Sequence, residues 1–185
     1  METPSITELF HRCQAKDRKA QEHIFRAWHS GFLKVCLRYA PDRQTAEGLL
    51  SDAFFKIFTR VEQCSEAATF EGWMHRIVVN TCLSHIRSAT SSKNVLLVDT
   101  AEGIGGTQHS YNDGDSRMGL QEVIALIQKL PPVTRAVFNL YIFEGYPHKD
   151  IAAHLEMSEG TSHWHLSTAR AWLKSKIKKA PHHGK

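Results

Sequence analysis

The sequence predicts an all-α fold of two small helical domains joined by a flexible linker, the second domain containing a helix-turn-helix. Apolar residues recur every three to four positions in both halves, which is the spacing of amphipathic helices. No stretch before residue 90 alternates as a half-buried strand would. Residues 88–118 show no period and contain Gly-Gly, Asn-Asp-Gly and a serine cluster, so we expect domains at 1–87 and 119–185. A functional loop within one domain is the alternative.

The composition is that of a globular chain, since 42% of the 185 residues are hydrophobic and 23% are charged. The formal net charge of +4 is too small to establish nucleic-acid binding, but residues 119–185 hold nine basic and five acidic side chains. No apolar run reaches the roughly 18–20 residues that cross a bilayer, and the N-terminus lacks a secretory pattern. The four cysteines form no CxxC pair, so we expect reduced, mostly buried thiols in a cytoplasmic protein without stable membrane insertion.

Four helices are predicted in the first domain. The pattern Ser5-Ile-Thr-Glu8 is a capping box that starts the first helix, and the second runs from about Asp17 to Tyr39. Pro41-Asp42 ends the second helix and offers a cap for the third, Arg43 to Arg60. A short polar loop, Glu62 to Thr69, precedes the fourth helix.

Each of these helices has an apolar side, which we expect to form the core of the domain. In the second helix this side consists of Ala20, Ile24, Trp28, Phe32 and Val35. In the third it consists of Ala46, Leu49, Leu50, Ala53, Phe54 and Ile57, followed by Val61. In the fourth it consists of Phe70, Trp73, Met74, Ile77 and Ile86.

The second domain is also predicted to be helical. Helical spacing resumes from Leu120 to Leu130, Pro131-Pro132 stops that helix, and Glu144-Gly145 ends the next. From Pro147 the sequence has the form of a helix-turn-helix. It comprises a short helix from His148 to Leu155, a turn, Ser158 as a cap and a long helix from Glu159.

The long helix has one face that can be buried and one that can stay free. The predicted buried face consists of Ser162, Leu166, Ala169, Leu173 and Ile177, and the opposite face of Trp164, Ser167, Thr168 and Ala171. Five basic residues without an acidic one accompany its second half: Arg170, Lys174, Lys176, Lys178 and Lys179. This arrangement is suited to a DNA groove and its phosphates. The alternative is that Trp164 packs on a neighbouring helix and the lysines are only solvated.

The second domain resembles the C-terminal promoter-reading domain of bacterial sigma factors over the segment LPPVTRAVFNLYIFEGYPHKDIAAHLEMSEGTSHWHLSTARAWL. In the first domain, TAEGLLSDAFFKIF resembles the segment that docks on core RNA polymerase, and FEGWMHRIVVNTCLSHIRS resembles the helix that reads the other promoter element. Two such domains and a linker are the layout of the extracytoplasmic-function class of the sigma-70 family. The resemblance covers about residues 7–87 and 119–177.

The resemblance implies that the third helix binds a coiled coil of the largest polymerase subunit. The matching positions are Leu49, Ser51, Asp52, Phe55, Lys56 and Phe58. Independently, Phe55 and Phe58 fall outside the apolar stripe of this helix, as contact residues would, with a place in the core as the alternative for either one. Gly48 and Ser51 depart from the residues usual in the family, so we expect fewer polar contacts with polymerase.

The resemblance also implies two contacts with the minus-ten promoter element. The fourth helix would face it through Arg76, Asn80, Ser84 and Arg87, which lie on one polar side. The preceding loop would hold a flipped base of the non-template strand, and its positions are Glu62, Gln63, Cys64 and Ser65. Without the resemblance, this side of the fourth helix would be assigned to solvent. Ser84 replaces an Asp that is common in the family.

By the same resemblance, the second domain would bind the minus-thirty-five element as duplex DNA. His163, Trp164, Ser167 and Thr168 would face bases, and His148, Lys149, Thr161, Arg170 and Lys174 would contact phosphates. Ser162 stands where a buried Val is more usual, and His163 and Trp164 replace common basic and small residues. The preferred promoter sequence therefore cannot be copied from relatives.

The resemblance implies a sigma factor that binds core RNA polymerase and promoter DNA and directs promoter-specific initiation, and we expect it to be non-enzymatic, without cofactor or bound metal. The family also implies an anti-sigma factor as a partner. One alternative is a helix-turn-helix regulator that acts on DNA without joining polymerase. Another is a metal enzyme that uses some of the 12 histidines and four cysteines, but His163 and His165 lie on different helix faces and no HExxH or CxxC motif accompanies them. We therefore expect the histidines at the surface or in a groove.

Overall fold

The computed structural model describes residues 4–91 and 118–177, and every regular element in these ranges is a helix. The all-α prediction is confirmed. The chain divides into two compact units, Met1–His85 and Ile86–Lys185. Among the described helices, none combines the length and apolar character that a membrane span requires.

The first unit contains helices α1 (Ile6–Gln14), α2 (Arg18–Tyr39), α3 (Arg43–Thr59) and most of α4 (Phe70–Ser91). Between α3 and α4 the chain forms two short 3-10 turns, Val61–Gln63 and Ala67–Thr69.

The starts of α1, α2 and α3 follow from their capping residues. The Ser5 hydroxyl accepts a hydrogen bond from the Glu8 amide at 3.2 Å, and the Asp42 carboxylate accepts one from the Thr45 amide at 2.7 Å. Asp17 caps α2 in the same way, through the amide of Lys19 at 2.8 Å. These side chains satisfy amides that have no partner within the helix, so each predicted helix start is confirmed.

The core of the first unit is formed by the apolar sides of its helices. The fully buried side chains include Phe10, Ile24, Tyr39, Ile57, Phe70, Met74 and Val78. Trp28 is an exception within the predicted stripe of α2, because it is only half-buried and its indole nitrogen donates to Glu71 Oε1 at 3.3 Å. All four cysteines are buried and free, as expected, and burial raises the pKa of Cys13 to about 11.

The second unit contains α5 (Met118–Gln128), α6 (Pro132–Ile142), α7 (His148–Leu155) and α8 (Glu159–Ile177). Gly145 takes a φ of +72° in the turn after α6, a conformation that favours glycine. The Ser158 hydroxyl accepts from the Thr161 amide at 3.0 Å and starts α8. The predicted helix-turn-helix is therefore confirmed with its cap.

The core of this unit lies between α8 and the helices α6 and α7. Its buried apolar side chains include Ile127, Val137, Leu140, Ile151, Leu166, Ala169 and Leu173. Ser162 is fully buried, as predicted for this face, whereas Ile177 is exposed at the end of α8. The surface position expected for His165 is wrong: its ring is buried and lies 2.9 Å from the Thr134 hydroxyl, which supplies the polar partner that burial requires.

The predicted linker can be compared with the structure only at its ends. Helix α4 continues to Ser91, four residues beyond the predicted end of the first domain, and α5 begins at Met118. The remainder of the predicted linker, 92–117, lies outside the described residues, as do Lys178 and Lys179.

Candidate nucleic-acid interface

The solvent-facing side of α8 carries the residues that were predicted to face bases. Trp164 is 50% exposed, His163 and Ser167 are exposed, and Thr168 is half-buried. The opposite face of the helix is occupied by α6 and α7, which fixes the direction in which these four side chains lie. The structure thus places the predicted base-facing residues together on one surface.

Three rings from α6, α7 and α8 lie against one another beside this surface. The ring centroids of Tyr141 and His148 are 4.7 Å apart with an interplanar angle of 28°, and those of His148 and His163 are 3.6 Å apart at 30°. We call Tyr141, His148 and His163 the histidine stack. The guanidinium carbon of Arg170 lies 5.4 Å from the centre of the Tyr141 ring, so a basic group adjoins the stack.

His148 is the middle ring, and its position corrects the prediction that it contacts phosphate. Its side chain is buried, and Nδ1 lies 2.9 Å from the hydroxyl oxygen of Ser162. Burial lowers the pKa of His148, and His163 and Arg170 lower it further, against an opposing effect of Glu159. A neutral, enclosed ring is a poor ligand for phosphate, so we remove His148 from the phosphate-binding group.

The remaining phosphate candidates lie at the surface or close to it. Lys149, Arg170 and Lys174 are exposed. Thr161 is half-buried in the first turn of α8, and its hydroxyl lies 2.7 Å from that of Ser158. These positions are compatible with contacts to a DNA backbone, which require accessible cations or hydroxyls.

On the first unit, α3 presents an exposed side with an aromatic centre. Ser51 and Asp52 are exposed, and Phe55 is 70% exposed, an unusual state for a side chain of this size. Phe58 is half-buried because its ring stacks on Phe54 with centroids 5.8 Å apart. Lys56 donates to Thr81 Oγ1 of α4 at 3.1 Å.

Leu49 does not lie on this exposed side. It is buried in the core, so the assignment of Leu49 as a direct polymerase contact is corrected. The sequence had already placed Leu49 in the apolar stripe of α3, and this periodicity predicted its burial correctly, whereas the family resemblance did not.

Phe25 was missed by sequence reasoning. It is 40% exposed on α2, and its ring centroid lies 4.7 Å from that of Phe54. Phe25 thus adjoins Phe54, a buried ring of α3 that also stacks on the half-buried Phe58. The available signal was its position next to Ile24, which places it beside the buried stripe of α2 rather than within it.

The minus-ten candidates occupy α4 and the segment before it. Arg76, Asn80, Ser84 and Arg87 are all exposed on α4, and Glu62, Gln63 and Ser65 are exposed in the preceding segment. Cys64 is buried instead, with its sulfur 3.4 Å from the carbonyl oxygen of Glu66 and 3.8 Å from Thr69 Oγ1. Cys64 therefore packs inside this segment, and its assignment as a DNA contact is corrected.

In the ranges 4–91 and 118–177, the structure brings together no group of three His, Cys, Asp or Glu side chains that could hold a metal ion. The histidines at 148 and 163 instead stack on each other.

Comparison with known proteins connects both units to transcription. The family model of sigma-70 region 2 matches residues 24–92, and that of sigma-70 region 4 matches residues 120–173. The RNA polymerase sigma-H factor of Pseudomonas aeruginosa is 27% identical over 172 residues, covering 88% of this chain and 89% of the relative. The ECF RNA polymerase sigma factor SigM of Mycobacterium tuberculosis is 28% identical over 172 residues, covering 91% and 83%.

The fold is also similar to that of a solved structure, CnrH in complex with the cytosolic domain of CnrY. The TM-score is 0.50 at 16% sequence identity, with 94% of this chain and 97% of the other covered. This likeness concerns the fold.

The buried state of His148 predicts how its ring titrates. Because burial lowers the pKa, we expect this ring to gain its proton below the usual value of 6.5 in the native protein. The unfolded chain then binds that proton more readily than the native protein does. The contribution of His148 to the free energy of unfolding is therefore fully present above pH 6.5 and is lost as the pH falls toward the native pKa. An NMR titration of the histidine ring protons measures this, with His148→Phe identifying the signal. A native pKa at or above 6.5 would contradict the prediction.

Proposed function

The chain belongs to the sigma-70 family as a sigma factor of the extracytoplasmic-function class that directs promoter-specific transcription initiation, and we propose that three of its surfaces carry this function. The observation behind the family assignment is that region 2 and region 4 both match, in that order, at residues 24–92 and 120–173. A helix-turn-helix regulator accounts for the second match and leaves the first without a role. The protein itself is non-catalytic in this proposal.

The first surface binds core RNA polymerase and consists of Asp52, Phe55 and Phe58 of α3 together with Phe25 of α2. Ser51 and Lys56 lie beside it on α3. The support is the 70% exposure of Phe55, together with two partly exposed rings, Phe25 and Phe58, that both contact the buried ring of Phe54. Burial of one such aromatic side chain contributes about 1.5–3 kcal/mol to association, which makes Phe55 the expected hot spot.

The second surface binds the minus-ten element. It consists of four exposed residues along α4: Arg76, Asn80, Ser84 and Arg87. Glu62, Gln63 and Ser65 supply the adjoining rim for a flipped base. Unstacking a base costs a few kcal/mol, and the rim and helix must recover that energy through contacts with the displaced strand.

The third surface binds the minus-thirty-five element through α8. Trp164 offers an apolar contact of the kind that fits a thymine methyl group, and His163, Ser167 and Thr168 offer hydrogen bonds to base edges. Lys149, Thr161, Arg170 and Lys174 position the helix on the phosphates, which supply affinity without sequence information.

We further propose a cytoplasmic location and an anti-sigma partner. CnrH, whose fold is similar, was solved with the cytosolic domain of CnrY bound. A partner of that kind would compete with polymerase or promoter DNA for the surfaces described above.

Run-off transcription with core polymerase and genomic DNA fragments tests the proposal. We expect discrete transcripts only when this chain is added, and weak binding of duplex DNA by the chain alone in a gel-shift assay. Strong, sequence-specific binding without polymerase, together with no new transcripts, would favour the regulator that acts alone.

Phe55→Ala should weaken capture of core polymerase by about tenfold or more, because the exposed ring is lost from the centre of the first surface. Affinity can be measured by titrating labelled chain with core polymerase. Gln44→Ala, an exposed change at the start of the same helix, serves as the matched control and should bind normally. Equal affinities for the two variants would remove Phe55 from the interface.

Trp164→Ala should reduce promoter-specific transcription by roughly tenfold while polymerase capture stays unchanged, because the indole lies on the third surface only. The matched control is Ser175→Ala, an exposed change further along α8. Promoter output that equals the control would show that Trp164 does not face the DNA.

A further inference from the structure

We propose that His148 is a positioning residue for promoter recognition: it holds the ring of His163 in the orientation in which His163 meets the minus-thirty-five element. This inference rests on the proposed function of α8. It means that a buried residue of α7, the first helix of the helix-turn-helix, contributes to the base preference of α8, the second helix.

The first argument is the contrast between the exposure of His163 and its contact with the stack. The side chain of His163 is 61% exposed, and an exposed side chain on a helix ordinarily exchanges among rotamers. Here its ring centroid lies 3.6 Å from that of His148 at an interplanar angle of 30°. One face of the ring is therefore covered, which restricts the directions in which its nitrogen atoms can donate or accept.

The second argument is that His148 is itself fixed from two sides. Tyr141 of α6 stacks on it at 4.7 Å, and the buried hydroxyl of Ser162 lies 2.9 Å from Nδ1. Ser162 precedes His163 in the chain, so the same turn of α8 supplies both the residue that anchors the ring and the residue that the ring supports. Because the His148 ring is held in one orientation, it restricts the orientation of the exposed His163 ring that packs on it.

The third argument is that the contact of His163 with Glu159 on α8 is weaker than the stack. A carboxylate oxygen of Glu159 lies 3.9 Å from Nε2 of His163. That pair is solvent-exposed on both sides, and such pairs contribute little. The stack with His148 is the contact with a defined geometry.

The experiment is promoter selection with the full chain and core polymerase on templates randomised across the minus-thirty-five element. His163→Ala locates the base pair that His163 reads, by loss of preference there. We expect His148→Leu to lose roughly tenfold preference at that same base pair, and the double variant to lose no more than either single variant.

His148→Phe is the matched variant that separates positioning from simple core filling. Both Phe and Leu fill the site and remove the bond to Ser162, but only Phe keeps a flat ring for His163. We expect His148→Phe to retain the preference and His148→Leu to lose it. Equal behaviour of the two variants would overturn the inference, whether both keep the preference or both lose it.

Lys149→Ala provides a second comparison, because Lys149 follows His148 on α7 and is assigned to phosphate. It should lower output evenly across templates and leave the base preferences intact. If the wild-type chain selects no templates at all, the proposed function fails. If it selects templates but His148→Leu selects the same ones, only the inference about His148 fails.

Discussion

A helix that forms part of a small core can expose a functional surface only on the side that the core does not use. In α8, burial of Leu166, Ala169 and Leu173 against α6 and α7 directs Trp164 away from the protein. The same constraint operates in α3, where burial of Leu50, Phe54 and Ile57 leaves Phe55 in solvent. The exposed sides of α3 and α8 are each the complement of a buried stripe, so in these two helices the core and the proposed contact surface cannot vary independently.

This constraint explains how far the sequence could predict the molecule. Helix starts were predictable because capping is local: Ser5, Asp42 and Ser158 each bond to an amide three residues away. The faces of α3 and α8 were predictable because helical periodicity is also local. That periodicity predicted exposed positions for Phe55 and Trp164, with packing in the protein as the alternative for each.

Contacts between residues far apart in the sequence could not be predicted in this way. His148 and His165 are buried because Ser162 and Thr134, on other helices, satisfy their ring nitrogens. His148 lies 14 residues from Ser162, and His165 lies 31 residues from Thr134, so neither pair leaves a periodic signal in the sequence. Leu49 and Cys64 were assigned wrongly for a different reason. Their positions in the family suggested contacts with partners, although their apolar side chains already indicated burial.

The hydrogen bond from Lys56 to Thr81 joins the helix assigned to polymerase with the helix assigned to the minus-ten element. Trp28 and Glu71 make a second connection, from α2 to α4. Both hydrogen bonds lie within the first compact unit, so the two proposed surfaces belong to one packed body in the free protein. In the proposed complex, the position at which polymerase binds α3 would therefore also determine where α4 meets the minus-ten element.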